Sequence, residues 1–321
     1  MANSDGQNQP GGSGGRLTGV WAAVPTPFLP DGRLDIAGVG ANAALYASDF
    51  GCDGVFCNGI MGEGWALTLE ERQDALAAMC DAAGGRLAVG VVVTHHAPGE
   101  TVALARHAGK VGAHHVILMR PRGQYTDAEI VDLAEAVADA AERPLVLFES
   151  PAPGMSFGPA IVEALGQKGL VLAVKAPGGD KAVSSLRRAV GDAALICNPH
   201  EDQFWTELAR ARDAPLYANP EPYLYQSRER QPILAYRDAL KAGDVVEAQA
   251  IWRGLEPLRA IYDQWVIGPL HHGLTPVPAL KHWAGRVGLK TGPTRFPMRP
   301  LSTADARKLD AALDVAGVPR A

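Results

Sequence analysis

Eight short apolar runs, each followed by a stretch with helical spacing, recur through this 321-residue chain at intervals of roughly 20–35 residues. No other feature constrains the fold as tightly. The runs are 17–28, 54–58, 87–93, 115–119, 144–148, 170–175, 194–197 and a weak eighth at 215–217. Between them lie helix-like segments at 35–50, 68–83, 100–109, 127–141, 158–165, 181–190 and 201–211. Thr68 with Glu71 three residues on reads as a capping box, and Asp127 reads as a helix cap. Strands that alternate with helices in this way predict a parallel α/β structure, and eight of them predict a (β/α)8 TIM barrel. A doubly wound open sheet is the second choice, but no GxGxxG follows the first strand.

The length suits a single barrel with surplus helices. Residues 1–15, rich in Gly, Ser, Asn and Gln, read as a disordered tail with no apolar signal segment. The barrel is expected over 16–231, and a C-terminal helical extension packed beside it over 232–321. With 47% hydrophobic residues and a net charge of −5 from interspersed acids and bases, no basic stripe for nucleic acid or membrane stands out. No apolar run approaches the ~20 residues that span a bilayer. Cys52, Cys57, Cys80 and Cys197 lack CxxC spacing and sit in apolar surroundings, which fits reduced thiols and a cytoplasmic protein.

Within this frame the stretch Leu170 to Asp180, LVLAVKAPGGD, is unusual. Its apolar run ends on Lys175 and is stopped by Pro and Gly, as for a strand buried on both faces. Of eight lysines, only this one closes such a run. Burial disfavours the ammonium form, so an amine here falls from about 10.4 to roughly 7–8 and can attack a carbonyl. The alternative is a lysine that carries its charge to the rim along its stem. After the second run comes Asn58-Gly59-Ile60-Met61-Gly62-Glu63. Two glycines before a helix either gather backbone N–H groups for a carboxylate or phosphate, or only make a tight turn. The His pairs 95–96, 114–115 and 271–272 lack HxH or HExxH spacing, and adjacent residues on a strand point to opposite faces, so no metal is expected.

The order of these motifs resembles the dihydrodipicolinate synthase and N-acetylneuraminate lyase family of Schiff-base aldolases. The resemblance rests on Thr26-Pro27-Phe28, on Gly59 to Glu63, and on Leu67-Thr68-Leu69-Glu70-Glu71-Arg72. It continues through Val171 to Lys175 with Gly179-Asp180, and Thr275-Pro276-Val277-Pro278-Ala279-Leu280-Lys281. It implies a barrel with a helical tail, a homodimer or homotetramer, no cofactor, and Lys175 as the amine that condenses with a 2-oxo acid such as pyruvate. It also implies that the acid's carboxylate rests on Gly59, Ile60, Met61 and Gly62 beside Asn58.

The chain departs from the family pattern where protons move. Phe148-Glu149-Ser150-Pro151 stands where the family has Y-N-x-P, so the relay tyrosine's hydroxyl is absent. Ile60 and Met61 replace hydroxyl residues, and Pro153 replaces the synthases' arginine. Glu149, His200, Glu201 and Tyr217 are the candidates for the missing relay. Tyr125 and Arg122, on the loop with Arg120 after the fourth strand, are candidate substrate contacts. The expected activity is lysine-dependent carbon–carbon cleavage or condensation between a 2-oxo acid and an aldehyde. Dehydration of an oxo or sugar acid through the same imine, 4-hydroxy-tetrahydrodipicolinate synthase activity proper, and a non-catalytic oxo-acid-binding barrel are the alternatives. A phosphosugar isomerase ranks last, because strands seven and eight lack a glycine-rich phosphate turn.

Overall fold

A parallel strand covered on both faces must be apolar on both, and the eight runs meet that requirement. In the computed structural model, which describes residues 16–149 and 156–321, they form β1 (Val20–Ala23), β2 (Gly54–Cys57), β3 (Ala88–Val92), β4 (His115–Met119), β5 (Leu145–Phe148), β6 (Val171–Lys175), β7 (Ile196–Cys197) and β8 (Leu216–Tyr217). Each pairs in parallel with its successor from β1 to β7, and β8 pairs with β1, so the sheet curls into a nearly closed barrel. The fold is a (β/α)8 barrel. Among the described residues, β7 and β8 share no ladder.

The alternating helices are α1 (Ile36–Ser48), α2 (Leu69–Ala83), α3 (Pro98–Lys110), α4 (Asp127–Ala141), α5 (Gly158–Gln167), α6 (Gly179–Val190), α7 (Glu201–Arg210) and the single turn α8 (Glu221–Tyr225). Thr68 and Glu71 form the expected capping box on α2. On α4 the cap is Thr126, boxed with Glu129, and not Asp127: the hydroxyl one residue earlier reaches the third helical N–H. Beyond the barrel come α9 (Pro232–Ala242), α10 (Val245–Arg253), α11 (Glu256–Tyr262), α12 (Gly268–His271), α13 (Val277–Arg286) and α14 (Thr303–Val315). Helix α9 packs on α7 and α8, and α13 also backs α8. No described helix is long and apolar enough to cross a membrane.

The barrel's interior is filled by rings. Trp21 lies 5.0 Å from His115 and 5.6 Å from Tyr217, centroid to centroid, and Tyr217 stacks on Phe56 at 4.7 Å. The Tyr217 hydroxyl and His115 Nε2 share a 2.6 Å hydrogen bond, and the two Nδ1 atoms of His114 and His115 meet at 3.0 Å. Strict alternation would have parted those two rings; it fails because His114 precedes β4. Glycines leave room for this layer. A Cβ on Gly90 would sit 2.4 Å from His115 Nε2, and one on Gly54 2.4 Å from the Trp21 ring. Gly90→Ala is therefore expected to destabilise the fold by about 1–3 kcal/mol through overpacking, read as a lower urea midpoint at unchanged slope.

Candidate active site

Lys175 ends β6, one of the longer strands, and a register irregularity near Leu145 and Val146 brings it opposite Phe148 on β5 and Cys197 on β7. The residue is 1% exposed. Its Nζ donates to Asn219 Oδ1 at 2.8 Å and to the Ala218 carbonyl at 3.3 Å. Three rings surround it, with centroids at 4.6 Å (Phe56), 4.7 Å (Phe148) and 5.9 Å (Tyr217). Desolvation among these rings lowers the amine to about 7, against the pull of Glu221 and then Cys197. An aliphatic amine that sheds its proton near neutrality is a nucleophile, and it sits at the carboxyl ends of the strands, where barrels place their chemistry.

Glu221, at the start of α8, is the carboxyl that acts on that amine. It is 2% exposed, and burial pushes it up to about 8; the charge of Glu201 pushes the same way, while Lys175 opposes. Its Oε2 and the Tyr262 hydroxyl are both buried and find no partner in full hydrogen-bond geometry among the described residues, although each lies near enough to the other for Tyr262 to draw the carboxyl's pKa down. Both line a cavity of about 630 Å³ between α7, α8 and α11, together with His200, Tyr225 and His271. Deeper in the wall, Glu201 is held by Arg259 through bonds of 2.9 and 3.1 Å and by the Tyr236 hydroxyl at 2.9 Å. A larger cleft, about 790 Å³, lies at the opposite end of the barrel around Arg16, His114 and Arg143. It touches none of the residues just named.

The turn after β2 continues the strand that carries Phe56. Asn58 takes a left-handed conformation, φ 60°, and its Nδ2 donates to the Arg72 carbonyl. Gly62 and Gly64 N–H both donate to the Gly59 carbonyl, and Glu63 N–H donates to Ile60. That leaves the N–H groups of Gly59, Ile60 and Met61 without acceptors among the described residues. Gly64 admits no side chain, because a Cβ would lie 2.0 Å from the Asn58 carbonyl oxygen. From below, the Thr26 hydroxyl donates to the Gly62 carbonyl at 2.6 Å. Glu63, itself left-handed at φ 52° and fully buried, pairs with Lys281 of α13 at 2.6 Å and accepts the Arg295 N–H at 2.8 Å. Arg295 also clasps Glu71 and lies over Phe28.

The other residues singled out from sequence are placed as follows. Phe148 presents its ring to Lys175. Glu149 is buried and spends its carboxylate on the N–H groups of Phe157 and Gly158 at the start of α5. Tyr217 is buried beneath Phe56, with its hydroxyl on His115. His200 borders the cavity half-buried, and burial, followed by charges that include Lys175, lowers its pKa. Arg122 is exposed on the loop after β4 and Tyr125 half-buried; among the described residues neither bonds to Lys175. Ser150, Pro151 and Pro153 lie outside the described residues. Asn219 and Glu221 were missed from sequence, although both stand in the Tyr217 to Tyr223 segment just past β8.

Residues 16–316 match the model of the dihydrodipicolinate synthetase family. The chain belongs to that family. Among its relatives, N-acetylneuraminate lyase of Rhizobium meliloti is 27% identical over 297 residues, 92% of this chain and 93% of that one. The 4-hydroxy-tetrahydrodipicolinate synthase of Moorella thermoacetica is 28% identical over 303 residues, 93% and 98%. In structure the family member is similar to YagE, a prophage protein of the dihydrodipicolinic acid synthase family from E. coli K12 in complex with pyruvate. That likeness has a TM-score of 0.81 at 23% identity, over 94% of this chain and 99% of the other. The Proteus mirabilis N-acetylneuraminate lyase gives a TM-score of 0.77 at 21%, over 94% and 99%. These likenesses concern the fold.

Proposed function

We propose that this family member is a lysine-dependent lyase or aldolase acting on pyruvate or a larger 2-oxo acid, with an aldehyde as its second substrate or product. The observation that carries the reading is the Lys175 amine, buried and held at 2.8 Å by Asn219, with its pKa brought to about 7. Its neighbour Phe56 stands on the same strand, β2, that delivers the turn bearing the free N–H groups of Gly59, Ile60 and Met61. The oxo acid's carboxylate takes those donors, replacing the hydroxyl grip that Ile60 and Met61 cannot offer. The amine adds to the adjacent ketone carbon, water leaves, and the protonated imine draws electrons from the bond being broken or made beside it. The names and folds of relatives, lyases and synthases alike, support this class of chemistry. They do not choose between cleavage, condensation and dehydration.

Incubation with pyruvate, reduction with borohydride and peptide mass spectrometry test the reading. One reduced pyruvate on Lys175 is expected. Pyruvate binding without any adduct would instead favour a barrel that holds an oxo acid and leaves it unchanged.

A further inference from the structure

Imine chemistry needs a group that carries protons to and from the amine, and Phe148 has none to offer. Glu149 and Tyr217 are already engaged, with α5 and with His115. Glu221 is not. It follows Asn219, the residue that holds Nζ, by two positions, and it is buried with one oxygen that finds no partner in full hydrogen-bond geometry among the described residues. It also lines the cavity between α7, α8 and α11. We infer that Glu221 is the acid–base residue of this site, moving protons at Lys175 Nζ and at the carbonyl oxygen of the bound oxo acid.

The inference rests on the Schiff-base reading above. The neutral amine attacks the ketone carbon, and a C–N bond forms. The carbonyl electron pair moves to oxygen, which takes the Glu221 proton. The nitrogen then returns one of its own protons to the carboxylate, leaving a neutral carbinolamine and a protonated Glu221. Glu221 gives that proton to the carbinolamine hydroxyl, the C–O bond breaks, and water departs. The products are a protonated imine, with one hydrogen on nitrogen, and a Glu221 carboxylate. Charge balances, because one cation and one anion form together. The same carboxylate is then placed to collect or supply the proton exchanged when the neighbouring bond breaks or forms.

The electrostatics support this. Lys175 is lowered and Glu221 raised, chiefly by burial in both cases, so near pH 7–8 the pair carries one proton fewer than its maximum and no net charge. The groups that act on Glu221 are Lys175 from β6, Glu201 from α7, Tyr223 and Tyr225 from its own helix, and Tyr262 of α11, while His200, Asp263 and His271 line the same cavity. Glu201 is paired with Arg259, and burial holds Tyr223, Tyr225 and Tyr262 protonated.

The experiment is timed borohydride quenching of the full-length protein with pyruvate across pH. The wild-type rate of adduct formation is expected to rise as the pair loses its first proton and fall as it loses its second. Glu221→Gln is expected to form adduct about 100-fold more slowly and to lose the alkaline fall, with part of the rate returning in Glu221→Asp. A merely structural role would not remove one limb of the profile. Adduct formation by Glu221→Gln at the wild-type rate, or with the alkaline fall intact, overturns the assignment while leaving Lys175 in place. A wild-type profile with no alkaline fall overturns it without any variant, even if Glu221→Gln does not fold. No wild-type adduct at any pH overturns the underlying reading, and this inference falls with it.

Discussion

Lys175→Met is expected to abolish adduct formation with pyruvate and, in the same protein, to raise stability. Turnover falls by about 10⁴-fold or more, because no other amine lies among the rings of Phe56, Phe148 and Tyr217. The gain in stability has a separate origin. The unfolded chain keeps this lysine protonated up to its ordinary 10.5, whereas the folded amine releases its proton at about 7. Between those values the unfolded state binds the extra proton. Folding is therefore penalised progressively as pH falls from 10.5, with the full penalty present below 7. Methionine carries no charge and packs its thioether against the same rings, at the loss of two hydrogen bonds, to Asn219 and to the Ala218 carbonyl. The variant should be more stable than wild type by about 1–3 kcal/mol at pH 6 and should lose most of that margin by pH 10. Urea titrations at the two pH values, beside the borohydride assay, read both effects. An adduct that survives the substitution would show that another group is the nucleophile. Equal stability at pH 6 would show that the amine is not desolvated as its surroundings require.

The parts of this site that could be read from sequence are those whose physical cost is local. Lys175 stood out because an ammonium at the end of a buried strand is expensive wherever the rest of the chain goes. The capping box of Thr68 and Glu71 is equally local, and β4 begins and ends where its apolar run does. Strands β7 and β8 proved to be two residues each, shorter than their apolar runs, because side chains beyond the ladder are covered by the loops and C-terminal helices. Glu221 was hidden for a related reason. Flanked by Pro220 and Pro222, it resembles a solvated turn residue, and it is buried by Tyr262 and by helices that arrive later in the chain. Glu63 and Lys281 each look like surface charges in isolation. Their burial exists only once α13 is docked on the barrel. The turn also shows how coarse a pattern is: its glycines marked a nest of donors, but Gly62 gives its own N–H to Gly59, and the open set is Gly59, Ile60 and Met61.

That docking sets the other large effect. Lys281 is 4% exposed, Glu63 is completely buried, and they meet at 2.6 Å. Burial lowers the Lys281 pKa even though Glu63 pulls the other way, and Arg295 adds repulsion. Lys281 also donates to the Pro293 carbonyl and lies over Phe28. Removing one partner leaves the other charge desolvated and uncompensated, which costs far more than the pair contributes against an apolar replacement. Lys281→Met is therefore expected to lower stability by about 3–5 kcal/mol. The double variant Glu63→Gln with Lys281→Met should recover most of the loss, giving a coupling well above 1 kcal/mol in the double-mutant cycle. The functional consequence follows from where Glu63 sits, two residues past the last open donor and in strained left-handed backbone. With its anchor gone the turn loosens, and the single variant should need a higher pyruvate concentration for half-maximal adduct, at a limiting rate close to wild type, since Lys175 is untouched. Urea unfolding and the pyruvate dependence of borohydride trapping measure the two effects. A Lys281→Met protein as stable as wild type would show that the ion pair does not anchor the turn. A loss confined to the limiting rate would show that Gly59, Ile60 and Met61 do not hold the substrate's carboxylate.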